Sequence, residues 1–428
     1  MGDTEPTPSV ELSPLRRAVA LGALVLAGEA IFIPPFHPGR YFRTTVLDSF
    51  GITERELGDA QAWYGVAAMV CYALGGPLAD RVGPRLLMAM SLLATGAGSL
   101  YMATIPSLLG LKCLFAFWGA STVFAFWSPL IRTTSEIGGG DSQGRAFGLL
   151  DGGRGLIAWA IAAVSAWAVG ASLTAGATDG AIRSLMVGYF TVTTVVAVIV
   201  WFGLPPSLGA GGQREPRATS ADVFQLLREP AIWLMGFVVL AAYCAFKTFD
   251  FYGHYCEDAY GLTKSQSATL IAWLTILRVV GAIAAGVLAD SWFNSMTMVL
   301  ASFVVLTATF GALALLPPRS EFLLVAVASM AVAWAASCAL RGVYFALLAE
   351  SDIPRVLTGS AAGVVSFLGF TPDIFWPRFA GGMITAAHEA GDPLAGYERL
   401  WLSLAGLSVA GAVATLLLRR RTHAKAAE

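Results

Sequence analysis

Ionisable side chains set inside long apolar runs are the residues of this sequence best placed to do chemistry. A charge near the centre of a bilayer costs about 2.5 to 3.5 kcal/mol on insertion scales, so it must face a partner or an aqueous cavity. Lys247, Asp250 and His254 stand at i, i+3 and i+7 and therefore share one helix face. Asp151 and Arg154, at i and i+3, share another and reach each other. Arg278 has no acid within a turn or two, Arg341 sits near the middle of its run, and Asp373 is accompanied by Arg378. Glu29 lies mid-way along the first apolar segment, followed by Arg40 in Pro34-Pro35-Phe36-His37-Pro38-Gly39-Arg40.

Two chemistries suit this set. An arginine without a neighbouring acid needs an anionic partner from elsewhere, and a bound anion can be that partner. Arg278 and Lys247 are the first candidate substrate ligands on this reading, with Arg154 and Arg341 second. Proton coupling needs a carboxylate that can be neutral when occluded. Asp151 and Asp250 each have an adjacent cation to keep them ionised, which leaves Glu29 and Asp373 as the better proton carriers of the four. The competing reading makes Lys247 with Asp250, and Asp151 with Arg154, neutral pairs that hold helices together. His254 reads as an interfacial residue near the end of its segment. Trp118, Phe124, Phe126 and Trp127, with Phe246, Phe249, Phe251 and Tyr252, either wall a central cavity or pack.

The elements that position these residues follow from composition. The chain has 428 residues, 56% hydrophobic and 13% charged, where soluble proteins carry about 25% charged residues. Twelve apolar stretches of helical, spanning length can be counted, at 17–44, 57–79, 85–105, 108–132, 143–171, 183–204, 229–254, 265–289, 295–316, 321–347, 356–384 and 395–418. They are continuously apolar, unlike the alternating strands of a barrel. The residues before Leu15 are polar and do not form a cleavable signal, so the first span reads as a retained anchor. The stretch 205–228 is rich in proline, glycine and charge and divides the spans six and six. The expected organisation is a tail at 1–16, a bundle at 17–204, the linker at 205–228, a second bundle at 229–418 and a tail at 419–428. Basic residues concentrate at Arg16 and Arg17, at Arg81 and Arg85, in the linker, and at Arg419 to Arg421, which places both termini in the cytoplasm by the positive-inside rule.

A cryptic repeat supports the division. Gly76-Pro77-Leu78-Ala79-Asp80 recurs as Gly286-Val287-Leu288-Ala289-Asp290, and Gly144 to Gly148 recurs weakly at Gly359 to Gly363. Repeated halves around a central site are a transporter architecture. The run Gly76-Pro77-Leu78-Ala79-Asp80-Arg81-Val82-Gly83-Pro84-Arg85 resembles the loop signature of the major facilitator superfamily, roughly G-x-L-A-D-R-x-G-R-R between the second and third helices. Its glycines allow a tight turn, and Asp80, Arg81 and Arg85 can hold contacts that differ between two arrangements of the halves. It departs from the signature at Pro84, and the second copy, with Gly286 and Asp290, lacks the arginine.

The resemblance implies an all-α polytopic membrane protein of twelve transmembrane helices in two pseudo-symmetric six-helix bundles. It implies alternating access at a site between spans 1, 4, 5, 7, 8, 10 and 11. Gly144 to Gly155 and Arg341 to Asp373 look like a branch grouped with sugar-phosphate, nitrate and oxalate permeases. Oxalate and nitrate permeases carry an arginine on the eighth helix, as Arg278 stands here, and sugar-phosphate antiporters a basic residue on the seventh, where Lys247 stands. The first-helix arginine of the sugar-phosphate branch has no direct counterpart, since Arg40 falls a few residues later. A drug-antiporter motif on span five is absent, which argues against multidrug export. The implied activity is secondary transport of a small organic or inorganic anion, by proton coupling or exchange, in a bacterial-type inner membrane and as a monomer. The alternatives are a symporter or exporter of a neutral solute with structurally paired charges, or a transport-inactive receptor. The net charge of −1 argues against nucleic acid. Five scattered cysteines read as buried thiols, and four histidines far apart in sequence suggest no metal, cofactor or catalytic cluster.

Overall fold

The computed structural model describes residues 13–79, 82–206, 226–281, 294–344, 347 and 358–426, and among these no strand occurs. Eight helices of the described residues are long and apolar enough to cross a membrane: 84–103, 108–137, 148–174, 178–203, 230–260, 295–315, 320–343 and 393–421. Span one is a bent pair, Pro14–Ala30 and Ile33–Tyr41, at 54°. The bend falls just before Pro34 and Pro35, whose rings fit only the first turn of a new helix. Span two is Glu54–Ala79, span eight begins at Lys264–Leu274, and span eleven comprises Thr358–Gly369 and Pro372–Glu389. The break in span eleven lies where Gly369, Thr371 and Pro372 interrupt the apolar run. Trp167, Phe202 and Leu315, each above 80% exposed, turn outward, as lipid-facing side chains must.

One expected loop is absent. Spans four and five were to be separated between 132 and 143, yet a single helix runs from Trp127 to Thr174. After Pro129 no proline occurs before Pro205, so nothing removes a backbone donor there. The cysteines also differ from expectation: Cys244, Cys256 and Cys338 are buried, but Cys71 is half-buried and Cys113 exposed. Within the loop signature, Gly76 ends up in the span-two helix and Gly83 precedes the Pro84 that opens span three. Arg85 lies over the Trp201 ring at 4.1 Å. Asp80, Arg81, Gly286 and Asp290 lie outside the described residues, as does most of the linker, 207–225.

The repeat extends further than the two motifs noted in the sequence. Asp48-x-Phe50-Gly51-Ile52-Thr53-x-x-Glu56 matches Asp258-x-Tyr260-Gly261-Leu262-Thr263-x-x-Gln266. Both copies fold alike. Gly51 and Gly261 end their helices with φ of 60° and 68°, which glycine adopts without penalty. Thr53 and Thr263 then cap the next helix, exchanging hydrogen bonds with Glu56 and Gln266. At the same spacing Phe36 matches Phe246 and Arg40 matches Asp250, 210 residues apart. Span seven, like span one, is interrupted, here by a 3-10 turn over Thr248–Phe251. Interrupted helices at corresponding places in two repeats mark a central site.

On the side away from the termini the two halves are in close contact. Span two lies against span eleven so tightly that a Cβ added to Gly58 would sit 2.4 Å from the Pro377 carbonyl oxygen, one on Gly65 2.5 Å from the Asp373 carbonyl carbon, and one on Gly381 2.4 Å from the Glu54 carbonyl oxygen. Arg378 pairs with Asp59 at 3.0 Å, and Lys264 with Asp48. Gly65→Ala should force these backbones apart and bias the protein toward opening on this side. Spin labels at Ile52→Cys and Leu262→Cys, in a background free of native cysteines, should then report a longer distance than in the parent; an unchanged distance would refute the packing argument.

Candidate functional site

A cavity of about 530 Å³ lies between the halves at mid-span, lined by residues of spans 1, 2, 4, 5, 7, 8, 10 and 11. Span two is an addition to the expected set, contributing Tyr64, Ala68 and Met69. Aromatic walls come from Phe32, Phe36, Tyr64, Trp127, Tyr243, Phe246, Phe367 and Phe370. Of the aromatic residues singled out in the sequence, Trp127 and Phe246 reach the cavity, while Trp118, Phe126, Phe249, Phe251 and Tyr252 are buried in packing.

The cavity's charges fall into two groups that differ in how tightly they are held. At the closed side, Arg40 Nε meets Asp250 Oδ1 at 2.6 Å, span one against span seven. Lys247 bridges Asp250 at 3.9 Å and Asp373 at 3.3 Å, and the Tyr243 hydroxyl donates to both Asp373 oxygens at 3.1 and 3.0 Å. Repeat partners exchange rings here: Lys247 lies 4.6 Å from the Phe36 centroid and Arg40 5.7 Å from that of Phe246. Just beyond, Arg43 donates to both Glu54 oxygens at 2.9 and 2.8 Å, and Glu54 also receives His254 Nδ1 at 2.6 Å. Arg40–Asp250 and the Arg43–Glu54–His254 group, short, buried and charge-assisted, form a seam between the halves, to which the longer Lys247 contacts attach through Asp250.

Toward the terminal side the contacts lengthen. Glu29 stands between Arg154 at 3.4 Å and Arg278 at 3.3 Å, both longer than the 2.7 to 2.9 Å of a well-made ionic hydrogen bond. Asp151 is 3.7 Å from Arg154 and 3.8 Å from Arg278, and its side chain is 57% exposed, so this end of the cavity is reachable by solvent. The Arg154 atom nearest Glu29 is its buried Nε, which lies outside hydrogen-bond geometry and makes no hydrogen bond among the described residues. Arg341 lies 4.0 Å over the Phe246 ring and has no carboxylate within 4 Å among the described residues. Among the described residues, five cations line the cavity, Arg40, Arg154, Lys247, Arg278 and Arg341, with two carboxylates, Glu29 and Asp373, and Asp151 and Asp250 stand behind the lining in contact with these cations. Excess donors inside an apolar chamber are what an incoming anion would satisfy.

Of the eight charged residues singled out as substrate or proton ligands, six line one cavity, and Asp151 and Asp250 pair with lining residues from outside it. Three details differ from the sequence reading. Arg278 is not alone, since Glu29 and Asp151 come to it from spans one and five. Glu29 and Asp373 are not free of cations, so pairing does not separate them from Asp151 and Asp250. His254 is buried against Glu54 rather than interfacial. Helix periodicity reports partners on the same helix only, and each of these partners comes from another. Arg40 and His37 are the residues given too little weight. His37 lines the cavity, and neither ring nitrogen has a partner among the described residues. The available signal was their place in a proline-broken first span whose repeat copy carries Lys247 and Asp250.

Comparison with known proteins agrees with this architecture. The sequence model of the Major Facilitator Superfamily matches residues 19–377. Inner membrane protein YihN of Escherichia coli (strain K12) is 25% identical over 405 residues, covering 93% of this chain and 94% of that protein. Inner membrane protein YqcE of the same strain is 23% identical over 367 residues, covering 84% and 85%. Among solved structures, a bacterial homolog of the human lysosomal transporter Spinster, inward-facing and unoccupied, superimposes with a TM-score of 0.74 at 15% identity over 97% of this chain and 99% of that one. The nucleoside transporter NupG does so with 0.70 at 16% identity over 95% and 99%.

The two charge groups predict different costs of mutation. Arg43→Ala leaves the buried Glu54 with His254 alone and should lower stability by about 3 kcal/mol, partly recovered by adding Glu54→Gln. Arg341→Ala strands no acid and should cost no more than about 1 kcal/mol. Thermal unfolding midpoints in detergent test the order; equal losses would show that the seam and the inner cluster are equally structural.

Proposed function

The chain belongs to the Major Facilitator Superfamily, and from that premise we propose that its solute is a small organic anion, gripped by Arg154, Arg278 and Arg341 and carried by alternating access. Membrane transport of a small solute follows from the family and the fold. The observation that favours an anion is the buried Nε of Arg154, which makes no hydrogen bond among the described residues and meets Glu29 only at 3.4 Å, beside the over-long contacts of Arg278 and an Arg341 with no acid within 4 Å among the described residues. A carboxylate, sulfonate or phosphate would accept from these guanidinium groups as Glu29 does now, at shorter range. The aromatic walls suit a solute with a ring or apolar body, and His37 offers a hydrogen bond to it. Lys247, engaged with two aspartates, serves as a link between binding and the seam rather than as a primary ligand on this reading.

Coupling follows from competition. An anion seated on Arg154 and Arg278 takes the donors that hold Glu29, and a carboxylate released into an occluded apolar chamber is best accommodated with a proton. Glu29 is therefore the favoured proton carrier, ahead of Asp373 and Asp250, whose cation partners are not the ones a solute on Arg154 and Arg278 would displace, and of the more exposed Asp151. The halves 17–204 and 229–418, joined by 205–228, rock about the site. Opening on the far side breaks Arg40–Asp250 and Glu54–His254, and closing on the terminal side brings the loop-signature residues Asp80, Arg81 and Arg85 into play. The proposed setting is a bacterial-type inner membrane, with both termini cytoplasmic and a monomer sufficient for transport.

Counterflow in proteoliposomes against labelled organic anions and neutral sugars tests the reading. An anion should be taken up, with rates at least about tenfold lower in Arg278→Ala and Arg154→Ala. Uptake of a neutral sugar with both variants at parental rates would overturn it, and ligand binding without flux would indicate a receptor. Glu29→Gln should keep counterflow while losing proton-driven accumulation; if it accumulates substrate as the parent does, Glu29 is not the carrier.

A further inference from the structure

Outside the cavity, on the closed side, His254 and Asp258 of span seven and His388 of span eleven each bring one ligand atom to within 4.8 Å of the others. Nε2 of His254 is 3.4 Å, and Nε2 of His388 3.2 Å, from the same oxygen, Asp258 Oδ2. A tetrahedral zinc ion, with bonds of about 2.0 to 2.2 Å, holds its ligand atoms about 3.3 to 3.5 Å apart. Two of the three edges are therefore close to the length an ion would impose.

The surroundings of the three residues are arranged as they are around metal ligands. His254 Nδ1 is 2.6 Å from Glu54 Oε1, and His388 Nδ1 is 3.0 Å from the carbonyl oxygen of Ile384. Each acceptor holds the proton on Nδ1 and leaves the Nε2 lone pair directed at Asp258. Ligand imidazoles in proteins are typically oriented in this way, by a carboxylate or carbonyl behind the ring. Tyr397 donates to Asp258 Oδ2 at 2.9 Å and fixes the carboxylate in turn. The two imidazoles lie nearly parallel, with centroids 5.8 Å apart. His254 is buried whereas Asp258 and His388 reach the surface, so an ion has a route in and a position left for water.

We propose that His254, Asp258 and His388 bind a transition-metal dication, Zn²⁺ being the ion that this nitrogen and oxygen set suits best, and that the bound metal holds the far side of the protein closed. Hard cations such as Mg²⁺ favour all-oxygen sites and are not the ligand. The locking follows from where the supporting residues sit. Glu54, which orients His254, belongs to span two and is itself clamped by Arg43 of the segment after span one. Opening this side pulls Glu54 away from His254 and removes that support, so the metal binds the closed form more tightly. By reciprocity the metal must then favour closure.

The test is Zn²⁺ titration calorimetry on the full-length protein in detergent, with any histidine tag removed, alongside Mg²⁺ as control. One Zn²⁺ per chain is expected, with affinity at least about tenfold lower in His388→Ala and Asp258→Asn, and no Mg²⁺ binding at the same concentrations. His388 lies at a surface-exposed helix end, so its variant should elute as the parent does. In proteoliposomes, Zn²⁺ should slow counterflow about fivefold or more relative to the same protein without metal, and leave His388→Ala unaffected. No binding to the parent, or equal affinity in both variants, would overturn the site and leave these groups a hydrogen-bonded latch. Binding that does not slow flux would overturn the lock. Binding is measured without transport, so its outcome is independent of the solute proposed above.

Discussion

An ionised side chain at bilayer depth is tolerated only when a counter-charge or water meets it, and the arrangement of the two halves follows from how this chain meets that demand. Arg40 of span one closes on Asp250 of span seven, and Arg43 closes on Glu54, which in turn holds His254. Every one of these contacts except Arg43–Glu54 crosses from one half to the other. Separating the halves on that side exposes them to water, which softens the loss; separating them in a dry interior would not be feasible. Paired charge is therefore compatible with a seam that opens, where a wholly apolar interface would be costly to wet.

The same requirement gives the repeat its asymmetry. Residues equivalent in the two halves face each other near the pseudo-two-fold axis, so identical charges there would repel. Arg40 and Asp250 occupy equivalent positions with opposite signs and form the shortest ion pair of the cavity. Parts that shape the backbone are kept in both copies: the left-handed Gly51 and Gly261, and the Thr53 and Thr263 caps. Backbone geometry has been kept in both copies while side-chain charge has diverged between them.

Contact length separates two roles that composition alone cannot. The seam pairs lie at 2.6 to 2.9 Å, and the inner arginines at 3.3 Å or more from their acids. A guanidinium fully committed to a carboxylate has little left to offer another acceptor, whereas one held at long range, outside hydrogen-bond geometry, has donors to spare. Lys247 joins the seam through its partner Asp250 rather than by contact length, and Arg341 rests on an aromatic shelf with no carboxylate within 4 Å among the described residues.

Much of this was readable from the chain. Continuous apolar runs marked the helical segments, though not the unbroken helix joining spans four and five, the proline cluster at Pro34 and Pro35 and the Gly369 to Pro372 interruption marked real breaks, and Gly76 to Arg85 pointed to the family. The eight candidate charges were also recognisable, because intramembrane charge is rare enough to stand out. Their partnerships were not. Periodicity relates residues on one helix, so Asp250 was seen beside Lys247 but not opposite Arg40, and Arg278 looked solitary though Glu29, 249 residues earlier, faces it. His254 and His388 are likewise strangers in sequence and neighbours in space. Hydrophobicity and helix-breaking residues act locally, along the chain, and so they decide what each segment is. Which charge answers which is set by distances of a few ångströms between helices, and those exist only once the helices have packed.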